Sequence, residues 1–127
     1  MKAVLSQSES LTKVLNSLYK SRLPGSVSKK VLYIVLEFEK ASADFTKKKT
    51  ALQEKHGEKT EKGELKVEDG KAVFTPENRL KFNKDYENLC NKNVNIGLLS
   101  QSDIDSLSEI SGEELKVLLD AGLISAN

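Results

Sequence analysis

The chain has very few of the residues that build reactive sites, with one cysteine and one histidine among 127 residues. Cys90 has no second cysteine for an internal disulfide, which is typical of a reducing compartment, and a small core hydrophobe explains it better than a reactive thiol. His56 has no second histidine or nearby cysteine to share a metal, and its segment is polar. We therefore expect His56 to be exposed at a helix end, without a catalytic pairing.

Other reactive arrangements are also missing. Glu37 and Glu39 fall on different faces of a predicted helix, and Glu113 with Glu114 are explained by helix capping, so no pair of carboxylates is poised for acid–base work. The glycines form no phosphate-binding loop. The sequence therefore predicts no catalytic residue, no cofactor and no metal, and a protein that is not an enzyme.

Charge and hydropathy limit the classes of partner that the sequence predicts. Twenty basic and nineteen acidic side chains leave a net charge of +1, so no overall field attracts nucleic acid or an anionic membrane. No apolar run approaches the ~18 residues of a membrane span. The apolar part of Met1-Lys2-Ala3-Val4-Leu5-Ser6-Gln7 is too short for a secretory signal. We expect a cytosolic protein that uses neither a membrane nor, as its main partner, nucleic acid.

One stretch, from Leu23 to His56, organises the rest of the chain. After Pro24-Gly25 it has no further proline or glycine until Gly57, and its apolar residues recur at steps of four and three, which predicts one face of a helix. These residues are Val27, Val31, Ile34, Phe38, Ala41, Phe45 and Leu52. Such a helix would be ~45 Å long, more than a compact domain of this size needs. By length we expect a single domain over residues 1–127.

A shorter helix precedes the long one. Its apolar residues are Leu11, Val14, Leu15, Leu18 and Tyr19. Pro24 ends it, and the tight Pro-Gly link predicts that the second helix turns back to form an antiparallel helical hairpin over about residues 8–56. Ser26 is the predicted N-cap of the long helix.

After Gly57 the pattern changes, and apolar residues alternate with charged ones. Leu65 and Val67 alternate with charged residues, and Asp69-Gly70 leads into a second short apolar segment that ends at Phe74. Asp-Gly between alternating segments is the signature of a β-hairpin, predicted over about residues 63–75. Since an isolated hairpin is marginally stable, we expect it to cover the end of the long helix.

The remaining residues predict C-terminal helices over about residues 76–124. Thr75-Pro76 begins one that reaches about Lys92, and Ser111 with Glu114 forms a capping box for another that Gly122 closes. A short helical turn is expected near residues 102–107, and residues 93–99 are either a short strand or an extended link. The predicted fold class is mainly α with a small β-hairpin: an antiparallel helical hairpin with one long helix, an inserted β-hairpin and two further C-terminal helices.

The long helix also carries the candidate binding residues. Phe45 and Leu52 lie where the helix outgrows its domain, so we expect them to lack partners within the chain and to mark a protein interface. Lys47, Lys48 and Lys49 are the best candidates for nucleic-acid contact, although interleaved acids favour a solvated helix face. The predicted partner-binding set is Phe38, Phe45, Leu52, Lys47, Lys48 and Lys49. The alternative is a monomer whose hairpin folds back over the same apolar stripe.

Several stretches follow one another in a recognisable order. They are Leu23-Pro24-Gly25-Ser26-Val27, Lys55-His56-Gly57-Glu58-Lys59, Gly63-Glu64-Leu65-Lys66-Val67, Asn78-Arg79-Leu80-Lys81-Phe82-Asn83-Lys84, and Ile110-Ser111 before Glu114-Leu115. In this order the chain resembles a family of small uncharacterised tailed-bacteriophage proteins, from about Leu11 to Ile124. It departs from the family in having His56 where a tyrosine is usual, and in a serine-rich stretch before Ile110.

The resemblance implies a viral protein of bacteriophage origin and a helical fold with a hairpin insertion, but it supplies no reaction. It implies a place in the host cytoplasm or the virion, and a phage structural protein or a host protein as partner, with a homo-oligomer also open. The function expected first is an accessory or chaperone in virion or tail assembly. The alternatives are an inhibitor of a host defence protein and a weak nucleic-acid-binding accessory protein.

Overall fold

The computed structural model describes residues 1–125, of which most are helical. Within this range lie five α-helices and one two-stranded antiparallel sheet. The elements are α1 (Glu9–Lys20), α2 (Gly25–His56), β1 (Val67–Glu68), β2 (Lys71–Ala72), α3 (Pro76–Asn91), α4 (Gln101–Asp105) and α5 (Gly112–Asp120). The predicted fold class, mainly α with a small hairpin, is confirmed.

Helices α1 and α2 form the predicted antiparallel hairpin. Ser8 caps α1 by accepting a hydrogen bond from the Leu11 backbone N–H at 3.3 Å. Just before α1, the Gln7 amide donates to the Ser42 hydroxyl at 3.1 Å, well along α2. The start of α1 therefore lies beside the middle of α2, and the facing leucines and valines of the two helices are buried in one core.

The two ends of α2 are set in different ways. The helix begins at Gly25, directly after Pro24, whose carbonyl accepts from the N–H groups of Val27 and Ser28 at 3.0 and 2.9 Å. The prediction that Ser26 is the N-cap is wrong, because the proline takes that position and Ser26 falls inside the first turn. At the other end, the Gly57 N–H bonds to the Gln53 carbonyl at 2.8 Å.

The predicted β-hairpin turns at Asp69-Gly70. Both residues have positive φ, 52° and 76°, as a two-residue type I′ turn requires. The strands pair Val67 with Ala72 and Glu68 with Lys71. The hairpin covers the end of α2 only in part, because Leu65 is half-buried beside Gly57 while Val67 stays exposed.

The C-terminal elements begin and end as their caps predict. Thr75 caps α3, and Ser111 with Glu114 forms a capping box on α5. After α5, the N–H groups of Gly122 and Leu123 bond to the carbonyls of Leu119 and Leu118, which is a Schellman motif with glycine at positive φ. Leu118 and Leu123 are both fully buried. Between α3 and α4, residues 93–99 form an extended link with isolated bridges at Asn93 and Leu99.

A short N-terminal 3-10 helix, Ala3–Gln7, was not predicted. Ala3 and Ser6 are buried, and the Ala3 N–H donates to the Lys92 carbonyl at 2.8 Å, so this segment packs where α2 and α3 meet. Its only apolar residues are Ala3, Val4 and Leu5, too few for a periodic signal in the sequence. Among the helices of residues 1–125, none is both long and apolar enough to cross a membrane.

Candidate protein-binding surface

The second half of α2 is covered by α3. Phe45 is only 2% exposed, and its ring centroid lies 6.2 Å from that of Tyr86. Tyr86 stacks on Phe82 at 5.7 Å. The expectation that Phe45 lacks a partner within the chain is therefore wrong, because the aromatic side of α3, rather than the hairpin alone, closes over it.

The other apolar residues of the predicted binding set are also partly or wholly enclosed. Phe38 is 6% exposed and lies in the core shared with α1, and Leu52 is half-buried. Phe38 and Phe45 are therefore inaccessible to a partner in this conformation. A partner that used them would have to displace α1 or α3.

His56 is buried as well, which corrects the expectation that it is exposed. It is 8% exposed, and its Nε2 donates to the Asp85 carboxylate on α3 at 2.7 Å. This hydrogen bond is the main reason why the pKa of Asp85 lies below its usual range. Within residues 1–125, no group of three or more histidine, cysteine, aspartate and glutamate side chains could hold a metal ion.

The three consecutive lysines do not share one face of α2. Lys48 forms an ion pair with Asp44 at 2.9 Å, and that hydrogen bond lowers the pKa of the Asp44 carboxyl. Lys49 lies over the Tyr86 ring, 5.7 Å from its centroid. Lys47 is exposed on another side of the helix. The structure therefore does not bring the predicted basic cluster together as one patch.

A different surface of α2 is uncovered, and we name it the outer face. It consists of Lys29, Leu32, Tyr33, Leu36, Lys40, Ala43 and Lys47, which are all exposed. At about 3.6 residues per turn, these positions lie on the side of the helix opposite the buried stripe. Leu32, Tyr33 and Leu36 are 37%, 52% and 51% exposed. Three large apolar side chains thus meet solvent on neighbouring turns.

The charged residues of the outer face are lysines, and the exposed Glu39 borders the face beside Leu36 and Ala43. Lys29 lies over the Tyr33 ring, 5.9 Å from its centroid. In the part of the chain that the structure describes, the side-chain ammonium groups of Lys40 and Lys47 make neither a hydrogen bond nor an ion pair. These two ammonium groups are therefore available to a partner, just beyond the apolar residues.

A groove continues the outer face toward residues 93–97, and we name it the α2 groove. Its volume is about 570 Å³, and its lining residues are Glu37, Lys40, Ala41, Ala43, Asp44, Lys47, Val94 and Asn95. Glu37 accepts a hydrogen bond from the Gly97 N–H at 2.8 Å, which fixes the extended link against α2 at one end of the groove. Asp44 is held by Lys48.

Comparisons of the chain with protein-family models, with curated proteins and with solved structures gave no match. The resemblance to phage proteins therefore stays a prediction. The outer face and the α2 groove are therefore interpreted from their own chemistry.

The sequence contains one signal for the outer face. Val31 to Leu36 are six consecutive apolar residues, and a helix can bury only about half of them.

Proposed function

We propose that this protein acts by binding another protein through the outer face of α2, and not by catalysis. The observation that carries the proposal is the exposure of Leu32, Tyr33 and Leu36 together. Single exposed leucines are common on soluble proteins, but contiguous apolar side chains on one helix face are typical of an interaction site. The helix beneath them packs against α1 and α3, so the face is already formed before binding.

The charges favour a partner with a particular chemistry. Lys29 and Lys40 stand at the two ends of the apolar patch. A partner surface that is apolar at its centre and carboxylate-bearing at its edges, such as an acidic amphipathic helix, complements both features. We therefore assign the outer face to such a partner.

A second copy of the chain fits less well. A symmetric antiparallel pairing centred between Tyr33 and Leu36 would place Lys29 of one copy opposite Lys40 of the other. Like charges facing each other at an interface are unfavourable. For this reason a hetero-complex is preferred to the homo-oligomer.

The biological role rests on the family resemblance. An assembly accessory or chaperone, binding a phage structural protein in the host cytoplasm or the virion, remains the first proposal, with inhibition of a host defence protein as the alternative. Both roles need a preformed protein-binding face. Nucleic-acid binding has less support, because Lys47, Lys48 and Lys49 point in different directions and Lys48 is already paired.

The decisive experiment compares wild-type protein with Leu36→Lys and Leu80→Lys as baits in lysate from phage-infected bacteria. Leu80 is a matched control, because it is another strongly exposed leucine but lies on α3. We expect wild type and Leu80→Lys to capture the same protein, and Leu36→Lys to lose it while its circular dichroism melting curve is unchanged. Equal capture by Leu36→Lys, or no protein captured specifically by wild type, would overturn the proposal.

A further inference from the structure

The extended link beside the α2 groove has one edge already paired. The Val94 N–H donates to the Met1 carbonyl at 2.7 Å, and the Ala3 N–H donates to the Lys92 carbonyl at 2.8 Å. These bonds make an antiparallel bridge between Lys2 and Asn93. Residues 93 and 94 are thereby held in extended form by the N-terminal residues.

The opposite edge of the link faces α2 and is open at Asn95, while Gly97 on the same edge already bonds to Glu37. In extended backbone, successive residues direct their peptide groups to opposite sides, so Asn95 and Gly97 face away from the N-terminal residues. The Gly97 N–H confirms this direction, because it donates to Glu37 of α2. The Asn95 N–H and C=O make no hydrogen bond to any of residues 1–125, and Asn95 lines the groove.

The groove is lined by two lysines and two carboxylates, and because Lys48 pairs with Asp44 from outside the lining, the charge of the region is slightly positive. Both of its carboxylates have partners in the chain, since Glu37 accepts from Gly97 and Asp44 pairs with Lys48. Its two ammonium groups, on Lys40 and Lys47, form no hydrogen bond or ion pair among the described residues, although the charge of Lys47 also helps to lower the pKa of Asp44. Lys40 and Lys47 are seven positions apart on the helix, which is about 10 Å along its axis. Three to four residues of extended chain span the same distance.

We infer that the α2 groove binds an extended, acidic peptide segment of the partner protein. The peptide backbone pairs with the N–H and C=O of Asn95, in the manner of a strand added to an open edge, and its carboxylates bond to Lys40 and Lys47. The Glu37–Gly97 bond shows that a carboxylate oxygen already fits this edge of the link. The inference rests on the proposed function, because Lys40, Ala43 and Lys47 belong to both the groove and the outer face.

A peptide titration tests the inference directly. The probe is acetyl-Thr-Glu-Val-Glu-Val-Glu-Thr-amide, added to uniformly 15N-labelled protein and followed by NMR. We expect saturable shifts of the Asn95 amide, and affinity roughly three-fold weaker in Lys40→Glu and in Lys47→Glu, as partly exposed ion pairs imply. Lys71→Glu, on the distant β-hairpin, is the matched charge control and should bind the probe as wild type does.

A second probe separates backbone pairing from charge attraction. The same peptide, N-methylated at alternate residues, keeps its carboxylates but loses the N–H donors on one edge, so we expect its binding to be lost in one of the two methylation registers. The inference is overturned by equal binding of both methylated peptides, by no binding of the parent peptide, or by displacement of the peptide by single-stranded RNA.

Different results would contradict the proposed function of the outer face and the inference about the α2 groove. If the peptide binds the groove but Leu36→Lys captures the lysate partner as well as wild type does, the proposed function of the outer face is wrong. If Leu36→Lys loses the partner while the groove binds no peptide, only the inference about the groove is wrong.

Discussion

The His56 Nε2 lies 2.7 Å from the Asp85 Oδ2, and this bond joins the last residue of α2 to the middle of α3. His56 is buried, while Asp85 keeps about a third of its side chain in solvent. Because the hydrogen bond from His56 lowers the pKa of Asp85, the folded protein binds the Asp85 proton less readily than the unfolded chain does.

The first prediction concerns the pH dependence of this bond. A group with a lowered folded pKa contributes stability above its unfolded pKa, and the contribution is lost as the pH falls through the folded value. We therefore expect Asp85→Asn to be less stable than wild type at pH values above about 4, the unfolded pKa of aspartate, and the difference to vanish in more acidic solution. Urea unfolding followed by circular dichroism at each pH measures it.

The control for this titration is Asp105→Asn. Asp105 is exposed and its carboxylate has no hydrogen-bond or ion-pair partner within residues 1–125, so Asp105→Asn should not reproduce the loss of stability expected of Asp85→Asn. A stability difference between wild type and Asp85→Asn that is the same at every pH would contradict the assigned role of the His56 bond.

The second prediction separates the buried from the exposed aromatic residues of α2. Phe45 is enclosed by α3, so Phe45→Ala should lower the free energy of unfolding by about 3–5 kcal/mol. Tyr33 is half-exposed on the outer face, so Tyr33→Ala should change it by no more than about 0.5 kcal/mol. If Phe45→Ala changes the free energy of unfolding as little as Tyr33→Ala does, the Phe45 side chain is exposed to solvent, as the sequence analysis expected.

Local signals in the sequence predicted the elements well. Thr75 before Pro76, the Ser111–Glu114 capping box and the Asp69-Gly70 turn act through atoms a few residues apart, so their geometry follows from residue type. The prediction of Ser26 as N-cap failed although it rests on the same kind of local signal, because Pro24 takes the N-cap position and the helix begins two residues earlier.

The packing of α3 could not be predicted in the same way. Phe45 and Tyr86 meet only after the chain has passed through the β-hairpin, and no periodicity in either helix specifies the other as its partner. The burial of His56 could not be predicted for the same reason, because its hydrogen-bond partner Asp85 lies 29 residues further along the chain. The outer face was not predicted, because the run of apolar residues from Val31 to Leu36 does not tell whether another element covers the side opposite the buried stripe.

The third prediction concerns Asp103, a buried acid on α4. Its Oδ2 accepts from the Lys30 ammonium at 2.7 Å and from the Ser100 N–H at 2.9 Å, so it both links α4 to α2 and completes a capping box. Asp103→Ala should lower the free energy of unfolding by about 1–2 kcal/mol, because it removes the acceptor of the Ser100 N–H and leaves the Lys30 ammonium unpaired, while the Ser100 hydroxyl still caps the helix.

Lys30→Met is the comparison for that variant. The Lys30 side chain is half-exposed, and Asp103 would keep its bond to Ser100, so this change should cost less than Asp103→Ala. Urea midpoints of the two variants at neutral pH measure the difference. A larger loss in Lys30→Met would mean that the ion pair with Lys30, and not the bond from the Asp103 carboxylate to the Ser100 N–H, holds α4.

The last prediction concerns Gly57, which is required for space and not for conformation. Its φ of −72° suits any residue, but a Cβ atom there would collide with the Leu65 side chain and the Gln53 carbonyl oxygen. Gly57→Ala should therefore lower the free energy of unfolding by about 1–3 kcal/mol, as overpacking does. Gly112→Ala is the control, because a Cβ there meets open space, and it should be neutral or slightly stabilising.

A double variant shows which collision matters. Leu65→Ala removes the side-chain collision but leaves the backbone one with Gln53, so Gly57→Ala combined with Leu65→Ala should be more stable than the sum of the two single changes implies. Additive losses would mean that the Gln53 carbonyl alone excludes a side chain at residue 57. In that case the glycine is required by the C-terminus of α2 itself, and the β-hairpin docks against an end that is already fixed.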